Sequence, residues 1–309
     1  MRRIGLVIVV SILWLRAPVP GQAQVTQPFA GITHIVRVET VPRPIRMHII
    51  QIDLSAPGLQ FTLSSPSGSR EVVRETTSVF LTRQRAQIAI NAHFFLPFPS
   101  TDTEAWVIGL AASEGRVFSA FEAPQQSYAL VADAPALNID RQNRASIVHR
   151  DTTQPDGLHV LEPVELWTTV AGAAQIVTDG AVTIPVYRDG SHPNAALTPG
   201  GPRDYSNANS WYDVVTARSA IGLSRDNRTL TMLTVDARDG SDGMRVGEVA
   251  TLLAKDYGVW NALNLDGGGS TSLAMADPAT GAVSLVNTSS DNPAGRSVAT
   301  SLAVFARVR

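Results

Sequence analysis

The sequence predicts a single strand-rich domain of the α/β (α+β) class, and three features predict it. Apolar runs of strand length recur from Arg46 onward between Gly, Pro, Asn and Ser punctuation, few stretches carry helical spacing, and one strand-helix-strand unit lies near 230–266. No internal repeat or clear linker divides the 309 residues, a length that one large domain accommodates.

The chain opens with MRRIGLVIVVSILWLRAPVPGQAQ, which combines two arginines, an apolar run from Ile4 to Leu15 and small residues ending at Ala23. That is the layout of a secretory signal peptide over residues 1–23, leaving the domain at 24–309. The run is too short to span a bilayer comfortably, an uncleaved anchor being the alternative, and no other stretch approaches membrane length. The expectation is an exported protein, secreted or periplasmic, with no stable membrane span in its mature form. There is no cysteine, so disulfides and thiol chemistry are excluded and packing must hold the fold. With 44% hydrophobic and 17% charged residues the chain is globular, and a formal net charge of −2 provides no field to gather nucleic acid.

Along the mature chain, Arg46–Ser65 alternates as two strands, Met47–Leu54 and Leu59–Ser64, with Ser55–Gly58 as the turn. TTSVFLTRQRA has helical spacing at Val79, Phe80 and Ala86 behind a Thr/Ser cap, and QIAINAHFF follows as a strand ending at Asn91. From Trp106 to Val131 short apolar segments are broken hairpin-fashion by SEGR and EAPQQS, whereas 133–165 is polar and carries no clear pattern. Strand character resumes in VELWTTVAGAAQIVTDGAVTIPV, with TDG as a tight turn. The Gly-, Pro- and Asn-rich stretch from Tyr187 to Asp213 reads as a long loop, either mobile or folded over a site.

RTLTMLTVDA reads as a strand with Asp236 at its end, MRVGEVATLLAKDYG as a helix with Val246, Val249, Ala250, Leu253 and Tyr257 on one face, and NALNLD as a strand ending at Asp266. If the two strands share a sheet, the crossover makes them parallel. Both carboxylates would then stand at the sheet edge where C-terminal strand ends form ligand crevices. Gly267, Gly268 and Gly269, followed by Ser270 and Thr271, could line a cup of backbone N–H groups and hydroxyls suited to an anionic oxygen. The plainer alternative is a tight turn between strands. The run matches neither a P-loop nor a dinucleotide fingerprint.

Five segments carry a resemblance: NAHFF (91–95), VAGAAQIVTDG (170–180), ARSAIGLSRDNRTLTMLTVDAR (217–238), GEVATLLAKDYGVWNALNLDGGGSTSLA (247–274) and DNPAGRSVATSLAVF (291–305). Together they resemble the phosphodiester glycosidase family from about Met47 to the end, Asn-Leu-Asp-Gly-Gly-Gly-Ser being the most specific motif. The resemblance implies a mixed α/β fold with strand-rich sheets, one cavity gathering the motif residues, and removal of an N-acetylglucosamine joined through its anomeric carbon to a phosphodiester. Departures from the family pattern are His93 for a glycine, Gly172-Ala173-Ala174 for Gly-Gly-Pro, Thr216 and Ala217 for the customary residues before Arg218, whose neighbour is Ser219, and Gly295-Arg296 for a Glu-Arg pair.

Such a cleavage needs an anion holder, stabilisation of an electron-poor anomeric carbon, and a way to deliver water. Arginine's planar fork suits phosphate oxygens, which makes Arg218 and Arg296 the phosphate-side candidates, with Arg238 next. Asp266 and Asp236 are candidates for nucleophile, base or electrostatic stabiliser under the two-carboxylate logic of glycoside hydrolysis. For Asp236 the alternative is capping of the loop ARDGSDG. Glu248 either caps its helix or points into the cavity. Asn91 could orient a sugar hydroxyl or close a turn, and Phe94 and Phe95 read as core. No cofactor is demanded. Strand-end acids with hydroxyl and carbonyl oxygens could hold Ca²⁺ or Mg²⁺, and zinc is opposed by the lack of cysteine and paired histidine. The leading expectation is an exported hydrolase of a glycosyl-1-phosphodiester, one setting being a surface polysaccharide. The alternatives are a non-catalytic binder of a glycosyl phosphate or surface polymer, and a metal-dependent phosphodiesterase.

Overall fold

In the computed structural model, which describes residues 23–121 and 128–308, the apolar runs fold almost entirely as antiparallel ladders. The largest sheet has eight strands in the order Ala23–Phe29, Ile32–Glu39, Ile45–Asp53, Thr229–Val235, Arg218–Ser224, Val259–Asn264, Ala174–Thr178 and Ala181–Val182. Every neighbouring pair in it is antiparallel. A five-stranded sheet carries Ile88–Asn91 between Leu273–Ala276 and Ser301–Phe305, and a second five-stranded sheet is centred on Thr168–Ala171. Only two α-helices, Thr77–Gln84 and Val246–Asp256, are found among the described residues. The chain is therefore mostly β, and the α/β label fits loosely. The predicted leader and the EAPQQS break lie outside the described residues, apart from Ala23.

The strand period of two explains how the large sheet is covered on both faces. In Ile45–Asp53, Ile50 and Ile52 enter the main core shared with the five-stranded sheets, while Ile45, Met47 and Ile49 enter a second core under the helix Val246–Asp256 and the long loop. The helix presents Val246, Val249, Ala250, Leu252 and Leu253 to that second core, close to the face read from its spacing, and Gly258 follows it with φ +65°. Leu253 is fully buried there. Leu253→Ala is expected to destabilise the fold by about 2–5 kcal/mol in a urea titration, because the lost contacts leave a cavity between helix and sheet.

Three local expectations are revised. The strands on either side of Ser55–Gly58 do not pair: Ile45–Asp53 stays in the large sheet and Gln60–Leu63 joins Ser301–Phe305, so the turn is a corner between sheets. The first helix buries Thr77, Phe80 and Leu81, and Val79 faces out. The hairpin Ala23–Phe29/Ile32–Glu39 and the strands Ala136–Ile139 and Ala145–Val148 went unread, the latter pair because polar residues interrupt their apolar pattern. Both tight turns were legible: Glu114-Gly115 and Asp179-Gly180 each take positive φ at both positions, as two-residue hairpins demand.

The strand-helix-strand unit is present with one difference. Thr229–Val235 and Val259–Asn264 run parallel in the same sheet, but Arg218–Ser224 lies between them and pairs antiparallel with both. One intervening strand separates the two strand ends by roughly 10 Å.

Candidate active site

Where Val259–Asn264 ends, the backbone of Asp266 is stapled to the neighbouring sheet. Asp266 N–H donates to Ala92 O (3.0 Å), and Asn91 Nδ2 donates to Asp266 O (2.6 Å). Asn91 Oδ1 accepts from Ser219 Oγ (2.7 Å) and from the Ser272 N–H (3.0 Å). Asn91 is thus a fully buried strut under Asp266, bonded to protein through both ends of its amide. Three cross-sheet bonds of this kind fix where the carboxylate starts.

The glycines that follow each meet a different constraint, two of a close neighbour and one of backbone conformation. A Cβ on Gly267 would meet Ala217 O at 3.0 Å, Gly268 takes φ +58°, and a Cβ on Gly269 would fall 2.2 Å from Arg296 Nη2. The third glycine therefore leaves space for an arginine. The expected anion cup of glycine N–H groups is largely occupied by protein: Gly267 N–H donates to Asp266 Oδ1 (2.9 Å) and Gly268 N–H to Ala217 O (2.8 Å). Gly268→Ala is expected to cost about 1–2 kcal/mol in thermal unfolding, since the left-handed backbone there disfavours a side chain.

Asp266, Gly267–Gly269 and Arg296 line a cavity of about 280 Å³, the low end of the range for small-molecule sites. Its other wall is aromatic. Tyr128 stacks on Tyr205 with centroids 5.0 Å apart, and Trp211 meets both edge-on at 6.2 and 5.7 Å. Phe94, Phe95 and Arg203 complete much of the remainder. Tyr205, Trp211 and Arg203 belong to the long loop, which is folded over the site. A second cavity of about 480 Å³, lined in part by Arg74, Thr103 and Asn292, shares Phe98 and Arg296 with the first.

The charges meet at Arg296. Its Nη1 donates to Ser270 Oγ (3.3 Å), its Nε donates to Asp291 Oδ2 (3.0 Å), and its guanidinium lies 4.9 Å from the Phe98 ring centroid. Burial raises the Asp266 carboxyl to about pH 6 from an ordinary 3.8, and a bond from Ser270, the charge of Arg296 and the Gly267 N–H pull against that rise. Asp266 still reaches solvent through the cavity. A carboxylate poised near neutral pH beside a fixed cation can act as base or nucleophile while the cation holds an anionic group.

Several sequence candidates sit elsewhere. Asp236 is buried beyond the intervening strand, where Oδ1 accepts from the Thr288 N–H (3.1 Å) and Oδ2 has no protein partner among the described residues. It does not line the cavity, so the two acids share a sheet edge and not a mouth. Burial raises its carboxyl to about 6 as well. Glu248 caps its helix through the Arg245 N–H (2.7 Å) and pairs with Arg43. Arg238 donates to Asp291 O (3.4 Å) and lines a separate groove. Arg218 lies behind the Trp211 wall, donating to the carbonyls of Met244 (3.0 Å), Trp211 (3.2 Å) and Val214. Its Nη1 is unpartnered among the described residues, and burial lowers it to about 10, still cationic at neutral pH. Thr271 is buried beneath the glycine turn and does not line the cavity. His93 is fully buried, with the Ala171 N–H donating to Nε2 (2.9 Å) and Thr300 Oγ1 bonded to Nδ1 (2.9 Å), so it is a structural pin.

Arg203, Tyr128, Tyr205, Trp211, Phe98 and Asp291 were not picked out from sequence. The signal for Tyr205 and Trp211 was there, as large aromatics inside an otherwise polar Gly/Pro loop. For a metal, no cluster of three or more His, Asp or Glu side chains occurs among the described residues, and Asp266 is the one carboxylate among those lining the first cavity.

The titration of Asp236 has a stability consequence. Because its folded pKa lies above the unfolded value, the folded state holds the extra proton between about pH 4 and 6, and stability falls as pH rises through that window. Asp236→Asn removes this loss, up to about 3 kcal/mol for a two-unit shift. Urea unfolding at pH 4 and pH 7 should show a smaller difference in the variant than in wild type, with enzymatic activity within a few fold.

The strand-rich fold thus sets an acid and an arginine in one aromatic-walled cavity. The chain belongs to the phosphodiester glycosidase family, whose model matches residues 84–305. Among solved structures it is similar to the catalytic domain of zebrafish N-acetylglucosamine-1-phosphodiester alpha-N-acetylglucosaminidase, auto-inhibited by its pro-peptide. The TM-score is 0.61 at 19% identity, over 93% of this chain and 88% of that one. It is also similar to a hypothetical protein from Synechocystis (TM-score 0.59, 18% identity, 94% and 64% of the two chains). A putative exported protein from Burkholderia pseudomallei follows, with TM-score 0.55 and 17% identity over 85% of this chain and 74% of that one. At these identities the likeness establishes the fold. No curated protein matches. Among the described residues, no helix is long and apolar enough to cross a membrane.

Proposed function

We propose that the protein hydrolyses the bond between the anomeric carbon of a sugar and the phosphodiester oxygen of a glycosyl-1-phosphodiester. The single observation that carries this reading is Asp266 beside Arg296 in one aromatic-walled cavity. Arg296, with Arg203 opposite, holds the phosphodiester anion. The Tyr128, Tyr205 and Trp211 rings receive the apolar face of the sugar. Asp266 activates water or attacks the anomeric carbon directly, the anomeric C–O bond breaks, and a phosphomonoester departs as an anion, which relaxes the demand for a strong general acid. The cavity shared through Arg296 and Phe98 receives the group on the far side of the phosphate.

An N-acetylglucosamine-type substrate is the first choice, on the name of the zebrafish relative. We further propose that the chain acts as one domain over 24–309 after export and removal of residues 1–23, a reading supported by the two arginines, apolar run and small residues at the start of the chain. The test is a panel of glycosyl-1-phosphodiesters offered to the mature chain, with and without chelator. Release of free sugar from at least one member, unaffected by chelator, is the expected result. Tight binding without turnover would favour the binder reading, and loss of activity on chelation the metal-dependent one.

A further inference from the structure

The arginine at the junction of the two cavities needs a second anchor, since one long bond to Ser270 leaves a flexible side chain free to swing. That anchor is Asp291. Its Oδ2 accepts from Arg296 Nε at 3.0 Å, on the side of the guanidinium away from Ser270. The chain brings the two together through a tight turn. Ala294 N–H donates to Asn292 Oδ1 (3.0 Å), Gly295 N–H donates to Asn292 O (2.9 Å), and Gly295 takes φ +84°, a conformation that favours glycine. Asp291 is itself tied down: its N–H donates to Ser289 Oγ (3.3 Å) and its carbonyl accepts from Arg238 Nη1 (3.4 Å). The missing Cβ of Gly269 keeps the guanidinium's path open on the cavity side, where a methyl group would stand 2.2 Å from Nη2 and 3.1 Å from Asp291 Cβ.

We propose that Asp291 is a positioning residue: it holds Arg296 against Ser270 and Asp266, so that one guanidinium sets both the anion site and the charge environment of the carboxylate. Four side chains thereby form one line from loop to reacting group, Asp291 to Arg296 to Ser270 to Asp266. Its catalytic consequence rests on the hydrolase reading above, but the arrangement itself can be tested without any substrate.

The sign of an electrostatic effect separates this role from a bystander's. The groups facing the Asp266 carboxylate are Arg296, Ser270 and the Gly267 N–H, with Arg203, Tyr128 and Tyr205 across the cavity. If Asp291 acted only as a nearby negative charge, deleting it would make Asp266 easier to ionise. If it holds Arg296 in place, deleting it releases the cation and makes Asp266 harder to ionise.

The experiment is a carboxyl ¹³C NMR titration of the mature chain, with the Asp266 resonance assigned by its loss in Asp266→Asn. In Asp291→Ala the Asp266 pKa should rise by about one unit. In Asp291→Asn, which keeps an acceptor for Nε–H, it should stay or fall slightly. In the Arg296→Ala background, adding Asp291→Ala should produce no further rise. Asp291→Ser, too short to reach Nε, serves as a second variant if the alanine protein does not fold. An unchanged or lowered Asp266 pKa in Asp291→Ala or Asp291→Ser overturns the proposal. Alongside it, kcat/KM on a cleaved glycosyl phosphodiester should drop by about 10-fold or more in Asp291→Ala and recover in Asp291→Asn. If wild type cleaves no such substrate, the hydrolase reading fails while the titration still decides the role of Asp291.

Discussion

Asp266→Asn should lower kcat by about three orders of magnitude while leaving the fold intact, because asparagine keeps the acceptor for the Gly267 N–H but can neither take a proton nor attack a carbon. The carboxyl of wild type, raised to about 6 mainly by burial, has to be ionised to work. Activity should therefore fall as pH drops through about 6, giving an acid limb on the kcat/KM profile. The same burial sets the sign for stability. The folded pKa lies above the unfolded one, so stability is lost as pH rises from about 4 to 6, and the ionised acid is a net burden at pH 7. The asparagine variant should consequently be more stable than wild type at pH 7 and close to it at pH 4, by thermal unfolding. A site that is stabilised by removing its acid is one where stability has been given up for reactivity. Retained turnover in Asp266→Asn would remove Asp266 from the chemistry.

Gly269→Ala should reduce kcat/KM by about 100-fold through a raised KM. The new methyl group would overlap Arg296 Nη2 at 2.2 Å and Cζ at 2.6 Å, and the end of a long side chain yields before the backbone does. The fold therefore survives and the arginine moves. Losing a charge-assisted contact to a phosphate is worth about 2–3 kcal/mol, which is the stated factor. In an Arg296→Ala background the same glycine substitution should have almost no further effect, since the group it displaces is gone. Full additivity of the two changes would show that Gly269 matters for another reason.

What the sequence makes legible here is local. The helix Val246–Asp256, the strand leading to Asp266 and the turn at Asp179-Gly180 follow from apolar spacing and turn chemistry that neighbouring residues impose on each other. The parallel relation of the strands around that helix was also readable, and with it the sheet edge that Asp266 shares with Asp236. The separation of the two acids was not, because it depends on Arg218–Ser224 inserting between their strands, a choice made by pairing over long sequence distance. Arg218 illustrates the same limit: its planar fork and its place at the start of a family motif suggest a phosphate ligand, yet its guanidinium is bound by three backbone carbonyls behind the wall. Arg203, Tyr205 and Trp211 belong to a loop with no periodicity, so nothing local says which of its side chains turn inward. The triple glycine reads as an anion cup in sequence, whereas the N–H groups of Gly267 and Gly268 go to protein acceptors and Gly269 opens the space in which Arg296 lies.

Asp266 and Arg296 together point to cleavage of the sugar carbon–oxygen bond. Hydrolysis of a glycosyl-1-phosphodiester by the mature chain in ¹⁸O-water, read by mass spectrometry of both products, tests it most directly. Label is expected in the released sugar and none in the phosphate. Label in the phosphate would mean that the phosphorus–oxygen bond breaks instead, and would contradict it.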